Sequence, residues 1–352
     1  PDVEECTYVL GRFCKDLVKN GTRSFDATTF TPALDGICKS DCITLNIEAM
    51  LDVLLENNIL VRHGNQMEFR HRYWIFYFAA EWMRHDDEFR QFILLNRNYV
   101  NYPEIIEFYS GIDGKRADAM EILFNDLTSL IDQVDNKIGI KSSFDPLSPL
   151  LWNPTDEYIQ KARSQIAEKV ESSNLPADIK DKHADAHYQS TAPYDQSIRR
   201  FLNDYSVLSL MHSIKAASRA LRSSPFVNVE LRRKLTTAIL RGWEEISRVI
   251  FWLTPLLATR GRAVHDGLAL KLAEGFSSDL DQRFKEIIIA NPYNIVRILG
   301  GDLASKKIGT LYECFRGTES KLQKHMMALF IATVRPIGWY ESLFDHINLL
   351  HP

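Results

Sequence analysis

The feature that most constrains the fold is a stretch at residues 72–84 that is apolar almost all round. At helical spacing its apolar side chains fall on two faces: Tyr73, Phe76, Tyr77, Ala80 and Met83 on one, and Trp74, Phe78 and Trp82 on the other. A helix that is apolar on more than one face is buried between two layers or two domains. We therefore expect a buried helix here that couples two parts of the chain.

Length and composition point to a globular protein with several domains. The chain has 352 residues, which is more than a single hydrophobic core usually serves, so we expect two or three domains. Hydrophobic residues at 45% and charged residues at 25% exclude a largely disordered chain. Five cysteines are few and odd in number, as in a reduced cytoplasmic protein. Because the chain begins at Pro1, without a signal segment, we expect a fragment or processed product of a longer protein.

The most apolar segment outside residues 72–84 is 249–258. It is about half as long as a membrane-spanning helix needs to be, and Pro255 interrupts it. We expect a buried helix there, no association with a membrane, and a cytoplasmic location.

Residues 1–86 have the pattern of one compact domain. Apolar residues recur at the spacing of a helix in residues 6–18 and 46–57. Thr31 before Pro32 predicts the start of another helix between them. Two short strands follow around the Gly64-Asn65 turn. Three helices followed by a two-stranded hairpin predict a winged-helix domain. In the second strand, alternation places Met67, Phe69 and His71 on one face.

The rest of the chain is predicted to be helical. Residues 87–150 form a second helical domain, in which Pro103 begins one helix and Met120 lies in the next. Residues 151–197 are polar and are predicted to be a linker with a connecting helix. Residues 198–352 are predicted to form a C-terminal helical domain, because apolar residues recur at helical spacing over 231–257 and 267–284.

The predicted fold class is therefore all-α with one small β-hairpin, because strand signals are nearly absent elsewhere. The C-terminal half suits antiparallel helices and allows a helical-repeat array, although no clean repeat period is present.

Two ordered motifs resemble STAND NTPases of the NACHT and NB-ARC type. The first is Phe69-Arg70-His71 followed by the aromatic run that ends at Ala79-Ala80, which is similar to the end of their winged-helix domain. The second begins at Pro103 and ends in Phe-Tyr-Ser-Gly, which looks like an element of their next helical domain. The resemblance covers about residues 1–135. Arg72 stands where the plant-type motif has aspartate, so the form is NACHT-like.

The resemblance implies that His71 senses a nucleotide. Its imidazole would donate to the β-phosphate of bound ADP in the resting state and release it when ATP replaces ADP. ATP or ADP with magnesium is implied for the parent protein, and no cofactor for this segment alone. A second interpretation of His71 is an ordinary core-edge histidine bonded to the backbone.

The resemblance also implies partners. They are the N-terminal NTPase domain of the same protein, a protein trigger that binds residues 151–352, and further copies of the chain in an active homo-oligomer. The resemblance thus makes residues 198–352 a C-terminal helical sensor domain. By family resemblance we expect a bacterial antiphage defence protein, held autoinhibited until the trigger binds. The alternative is a stand-alone helical protein-binding scaffold without nucleotide.

No phosphate-binding loop is present in the sequence. The nearest stretch, residues 300–307, lacks the second glycine and the hydroxyl after the lysine that such a loop needs, and we interpret it as a helix end and turn. We therefore expect no catalytic residues and no ATP hydrolysis by this segment alone.

Two groups of residues have side chains that can bind a metal ion. His183, Asp185 and His187 lie in a polar segment, where an exposed helix explains them better than zinc does. Cys38 and Cys42 with His63 lack a second cysteine pair, so buried thiols are the better explanation. We expect no metal site.

Basic side chains concentrate between residues 199 and 241. Arg219, Arg222, Arg232 and Arg233 are the candidates for binding an acidic partner, and a solvated helical surface is the other interpretation. Nucleic-acid binding is not expected, because the net charge is −4 and the third predicted helix carries only acidic charges: Glu48, Asp52 and Glu56.

Overall fold

The structure is a computed structural model that describes residues 2–112, 117–139, 205–304 and 320–335, with Trp339 and Leu343. The predicted linker at 151–197 lies outside these residues, as does the His183, Asp185 and His187 group. The described residues are mainly helical, with two small antiparallel sheets, so the predicted fold class is confirmed.

The first part of the chain reaches residue 139. Its α-helices are α1 (Val3–Asn20), α2 (Ala27–Ser40), α3 (Ile47–Glu56), α4 (Tyr73–Trp82), α5 (Asp87–Leu94), α6 (Pro103–Ile112) and α7 (Asp118–Ile138). Its strands are β1 (Ser24–Asp26), β2 (Leu60–His63) and β3 (Gln66–Phe69), and a 3-10 helix covers Leu95–Asn101.

The second part begins at residue 205. Its α-helices are α8 (Ser206–Ser223), α9 (Val229–Arg260), α10 (Leu280–Leu299) and α11 (Lys321–Val334). Its strands are β4 (Arg262–His265) and β5 (Leu268–Lys271), and a short 3-10 turn covers Gly300–Asp302. The segment at 249–258 lies inside α9, and among the described helices none is both long and apolar enough to cross a membrane.

The N-terminal sheet has three antiparallel strands in the order β1-β3-β2. Leu60 is opposite Phe69, and Phe25 is opposite Met67, so apolar side chains from all three strands meet on one face. Gly64 takes a left-handed backbone conformation at φ 63° in the predicted turn. Strand β1 was not predicted, because three residues are too few to give an alternation signal.

Helix α2 starts earlier than the sequence suggested. Asp26 accepts a hydrogen bond from the backbone N–H of Thr28 at 2.8 Å and caps the helix there. The predicted start at Thr31 is therefore wrong, and Pro32 lies inside the helix. The third predicted helix is confirmed, with Asn46 as its cap.

Helix α4 is the buried coupling helix that the sequence predicted. It packs against α1 on one side and against α6 on the other. The approach to α1 is close, because a Cβ atom added at Gly11 would lie 3.0 Å from the carbonyl oxygen of Phe78. Helix α4 therefore joins the sheet-bearing part of the chain to the helices that follow.

A second hairpin, β4–β5, stands where the sequence suggested a helix. The prediction of helical structure over 267–284 is wrong, because β5 covers Leu268–Lys271 and α10 begins only at Leu280, capped by Asp279. The turn between the strands is Asp266-Gly267, and both residues have positive φ. Helix α8 packs against α6 and α7, and α9 packs against α7, α8 and α10.

Candidate functional site

The predicted sensing residue, His71, lies in a short link between β3 and α4. The last backbone contact of the sheet is the N–H of Arg70, which donates to the carbonyl of Ile59 at 2.9 Å. One residue later, the carbonyl of His71 accepts from the N–H of Trp74 at 3.1 Å, which opens the helical turn. The link is therefore fixed at both ends by backbone hydrogen bonds.

The imidazole of His71 is exposed to solvent. Met67 and Phe69 are buried, so the prediction that His71 shares their face is wrong, because strand pairing stops before it. The ring stacks on Tyr73 with centroids 5.4 Å apart and planes at 10°. No other described residue forms a hydrogen bond with the imidazole side chain, so its nitrogens can face a ligand outside the chain.

Two arginines flank His71 and were not predicted as site residues. Arg70 and Arg72 are both exposed, and neither forms an ion pair among the described residues. The N-terminal end of α4 lies beside them and lacks a side-chain cap. Guanidinium groups and a helix N-terminus both favour an anion, so the surface around His71 suits a phosphate group.

Aromatic contacts connect this surface to the interior. Phe78 on α4 lies 6.0 Å from Phe69 at the end of β3 and stacks on Trp74 at 5.8 Å. Tyr77 makes an edge contact with Phe108 of α6 at 5.7 Å. Through α4, these contacts connect the surface at His71 to Phe69 at the end of the sheet and to Phe108 of α6.

Arg219 and Arg222, two of the predicted partner-binding residues, form ion pairs inside the chain. Arg219 Nε lies 2.7 Å from Asp302 Oδ1, and its Nη1 lies 3.0 Å from Glu104 Oε1 and 3.5 Å from Glu107 Oε2. Arg222 also pairs with Glu107. The Arg219 side chain is only 18% exposed, so these contacts fasten α8 to α6 and to the turn after α10.

The other two predicted arginines lie at the start of α9. Arg232 Nη1 donates to the carbonyl of Pro225 at 3.2 Å. Arg233 is exposed and forms no ion pair within the described parts of the chain. Binding of an acidic partner by these four arginines stays a prediction.

Within the part of the chain that the structure describes, Cys38 and Cys42 do not combine with His63 into a metal site. Among the described residues, no three His, Cys, Asp or Glu side chains lie close enough together to hold a metal ion. Cys38 is buried, but Cys42 is exposed, so the prediction of buried thiols is wrong for Cys42. His63 lies 3.7 Å from Glu68. Residues 300–304 form the helix end and turn that the sequence predicted, and residues 305–307 lie outside the described structure.

Two titratable groups in the helical interior were not predicted. Burial raises the pKa of Glu245 on α9 to about 7, although Arg248 lies 3.4 Å away and opposes the shift. Burial also lowers the pKa of His212 on α8 to about 4, with a smaller effect from Lys215. Neither group lies in the link at His71.

Comparison with known proteins gives one family match. A family model described as Novel STAND NTPase 4 matches residues 37–79, which run from the end of α2 through the β2–β3 hairpin into α4. His71 lies inside the matched segment, and the match supports a relationship to STAND NTPases. No curated protein and no solved structure matches the chain.

Proposed function

We propose that this chain is the regulatory and ligand-sensing portion of a STAND signalling ATPase, with His71 as its nucleotide sensor. The observation that carries the proposal is the exposed imidazole of His71, placed between Arg70 and Arg72 inside the segment that matches the STAND family model. A solvent-facing histidine therefore lies two residues before the start of a buried helix.

The order of elements supports a winged-helix domain at the N-terminal end. A helix, a strand, two helices and a hairpin follow one another, and the hairpin pairs with the first strand. In this proposal the β2–β3 hairpin is the wing. The exposed carboxylates of Glu48, Asp52 and Glu56 lie along α3 and would repel phosphates. This domain is therefore proposed to serve regulation and not DNA binding.

The proposed mechanism begins at the phosphate. In the resting state, ADP is held by the NTPase domain of the same protein, with magnesium, and His71 donates a hydrogen bond to its β-phosphate. Arg70 and Arg72 add positive charge beside that bond. Exchange of ADP for ATP removes the bond, and α4 transmits the change to α1 and α6, with which it packs.

The trigger acts from the other end of the chain. A protein that binds the C-terminal half is proposed to release the autoinhibited arrangement and to allow oligomerisation. The NACHT-like form and a role in bacterial antiphage defence belong to the same proposal, as does a cytoplasmic location.

The test is the affinity of the full-length gene product for ADP, measured by fluorescence titration with a labelled ADP. His71→Ala should weaken ADP binding by roughly 10-fold to 100-fold, which is the effect of losing one charge-assisted hydrogen bond. His63→Ala is the matched control, because His63 is an exposed histidine in the neighbouring β2–β3 hairpin, outside the link. An ADP affinity of His71→Ala equal to that of His63→Ala and of the unaltered protein would contradict the role of His71. Absence of ADP binding by the unaltered protein would favour the alternative, a helical protein-binding scaffold without nucleotide.

A further inference from the structure

The turn between α8 and α9 holds an aromatic side chain in solvent. Phe226 is 77% exposed, and Val229, at the first position of α9, is 57% exposed. Removing a phenylalanine side chain from water contributes about 1.5–3 kcal/mol, so this pair offers substantial binding energy to a surface that covers it.

The turn is anchored on both sides. Ser224 is fully buried, and its hydroxyl lies 2.7 Å from the carbonyl of Ala220 and 3.2 Å from that of Ser110. On the other side, Asn228 caps α9 by accepting from the N–H of Glu230 at 2.8 Å. An aromatic ring on a fixed turn loses little conformational entropy when it binds, which favours its use as an anchor.

A cleft of about 450 Å³ lies directly beside the turn, between the first turns of α7 and α9. Its apolar lining includes Phe124 and Leu231, and Glu121, Glu230 and Lys234 also line it. A cleft of this size can hold an aromatic side chain. The projecting ring and a cleft able to receive such a ring are therefore neighbours on one surface.

Charges of both signs surround the ring and the cleft. Glu121 and Glu230 are exposed acids, and Arg233 and Lys234 are exposed bases. None of the four forms an ion pair among the described residues, although Glu230 and Lys234 have the i, i+4 spacing that permits one. The surface thus keeps acidic and basic groups available at the same place.

We propose that this surface binds the same surface of a second copy of the chain. The surface, here called the tip patch, consists of Glu121, Phe124, Phe226, Val229, Glu230, Leu231, Arg233 and Lys234. Phe226 of each copy occupies the cleft of the other, and the bases of each copy face the acids of the other. A two-fold contact repeats every interaction, so a patch that carries both halves of each pair is self-complementary. The contact involves neither nucleotide nor the link at His71.

The test is sedimentation equilibrium of the purified chain, residues 1–352, without nucleotide. The expected result is a monomer–dimer equilibrium that weakens between about 50 mM and about 500 mM salt, because exposed charges are screened. Phe226→Asp should raise the dimer Kd at least about tenfold, as removal of an interface anchor does. Ile289→Asp is the matched control, because Ile289 is 59% exposed on α10, outside the tip patch, and it should leave the Kd unchanged.

Charge reversal tests the pairing itself. The double variants E121K/E230K and R233E/K234E should each be monomeric, and an equimolar mixture of the two should form a heterodimer that Phe226→Asp in both partners abolishes. Circular dichroism checks that each variant is folded. A wild-type chain that stays monomeric, a dimer that tolerates Phe226→Asp as well as Ile289→Asp, or a mixture that fails to associate would overturn the proposal. Because no nucleotide is present, these outcomes are independent of the ADP-binding test.

Discussion

The ion cluster around Arg219 gives the sharpest prediction about stability. One guanidinium lies within 3.5 Å of carboxylate oxygens from Glu104, Glu107 and Asp302, and its side chain is only 18% exposed. Arg219→Met keeps the unbranched apolar stem of the side chain and removes the guanidinium charge. Glu107 retains Arg222, but Glu104 and Asp302 lose the only ion-pair partner that the described residues give them.

The expected loss follows from the burial of the cluster. Removal of one partner from a fully buried ion pair costs about 3–5 kcal/mol, because a charge is left uncompensated. The carboxylates here are 17–31% exposed, so water screens part of that penalty. We expect Arg219→Met to lower the free energy of unfolding by about 2–3 kcal/mol.

Urea unfolding followed by circular dichroism measures this change. Arg297→Met is the matched control, because Arg297 on α10 is exposed and has no ion-pair partner among the described residues, and it should change the stability by less than about 0.5 kcal/mol. Neutralising the two acids that lose their partner as well, in E104Q/D302N with Arg219→Met, should recover part of the loss. A change below about 1 kcal/mol for Arg219→Met would refute the reasoning.

Two further predictions concern the second half of the chain. Glu245 is 4% exposed, and its pKa of about 7 in the folded state lies above the unfolded value of 4.5, so the folded chain holds a proton that the unfolded chain has released. The free energy of unfolding should therefore fall by about 3 kcal/mol as pH rises from 4.5 to 7. Urea unfolding at several pH values measures this fall, and Glu245→Gln should remove it. An unchanged pH profile would contradict the assignment. Gly267→Ala should destabilise the fold by about 2 kcal/mol, because φ is +81° and the new Cβ would lie 2.9 Å from Leu208 Cβ. Gly261 is the control, because its φ is +71° but no atom lies within 4 Å of an added Cβ, so Gly261→Ala should cost about 1 kcal/mol. Equal losses of stability in the two variants would show that the contact with Leu208 does not matter.

The sequence predicted elements that carry strong local signals. The aromatic run of α4 could only be buried, and Gly64-Asn65 marked the turn of the β2–β3 hairpin. The β4–β5 hairpin also had a signal, because Asp266-Gly267 is a favoured two-residue turn, but helical spacing in the flanking apolar residues outweighed it. Strand β1 depends on pairing with β3, which lies about forty positions further along the chain, so local pattern could not reveal it.

The candidate site was predicted only in part. His71 was found through a motif, but its exposure follows from where strand pairing stops, which the alternation of Met67 and Phe69 did not reveal. The basic residues of α8 were recognised as a cluster, whereas the partners of Arg219 come from distant parts of the chain. Contacts of that kind depend on how helices pack and leave no periodic signal in the sequence.

The most direct test of the central claim is the structure of the full-length gene product bound to ADP. The quantity to measure is the distance between the imidazole nitrogens of His71 and the β-phosphate oxygens. The account predicts a hydrogen bond, at about 2.7–3.2 Å. A nucleotide whose phosphates lie beyond the reach of His71, or a protein that holds no nucleotide, would contradict the account.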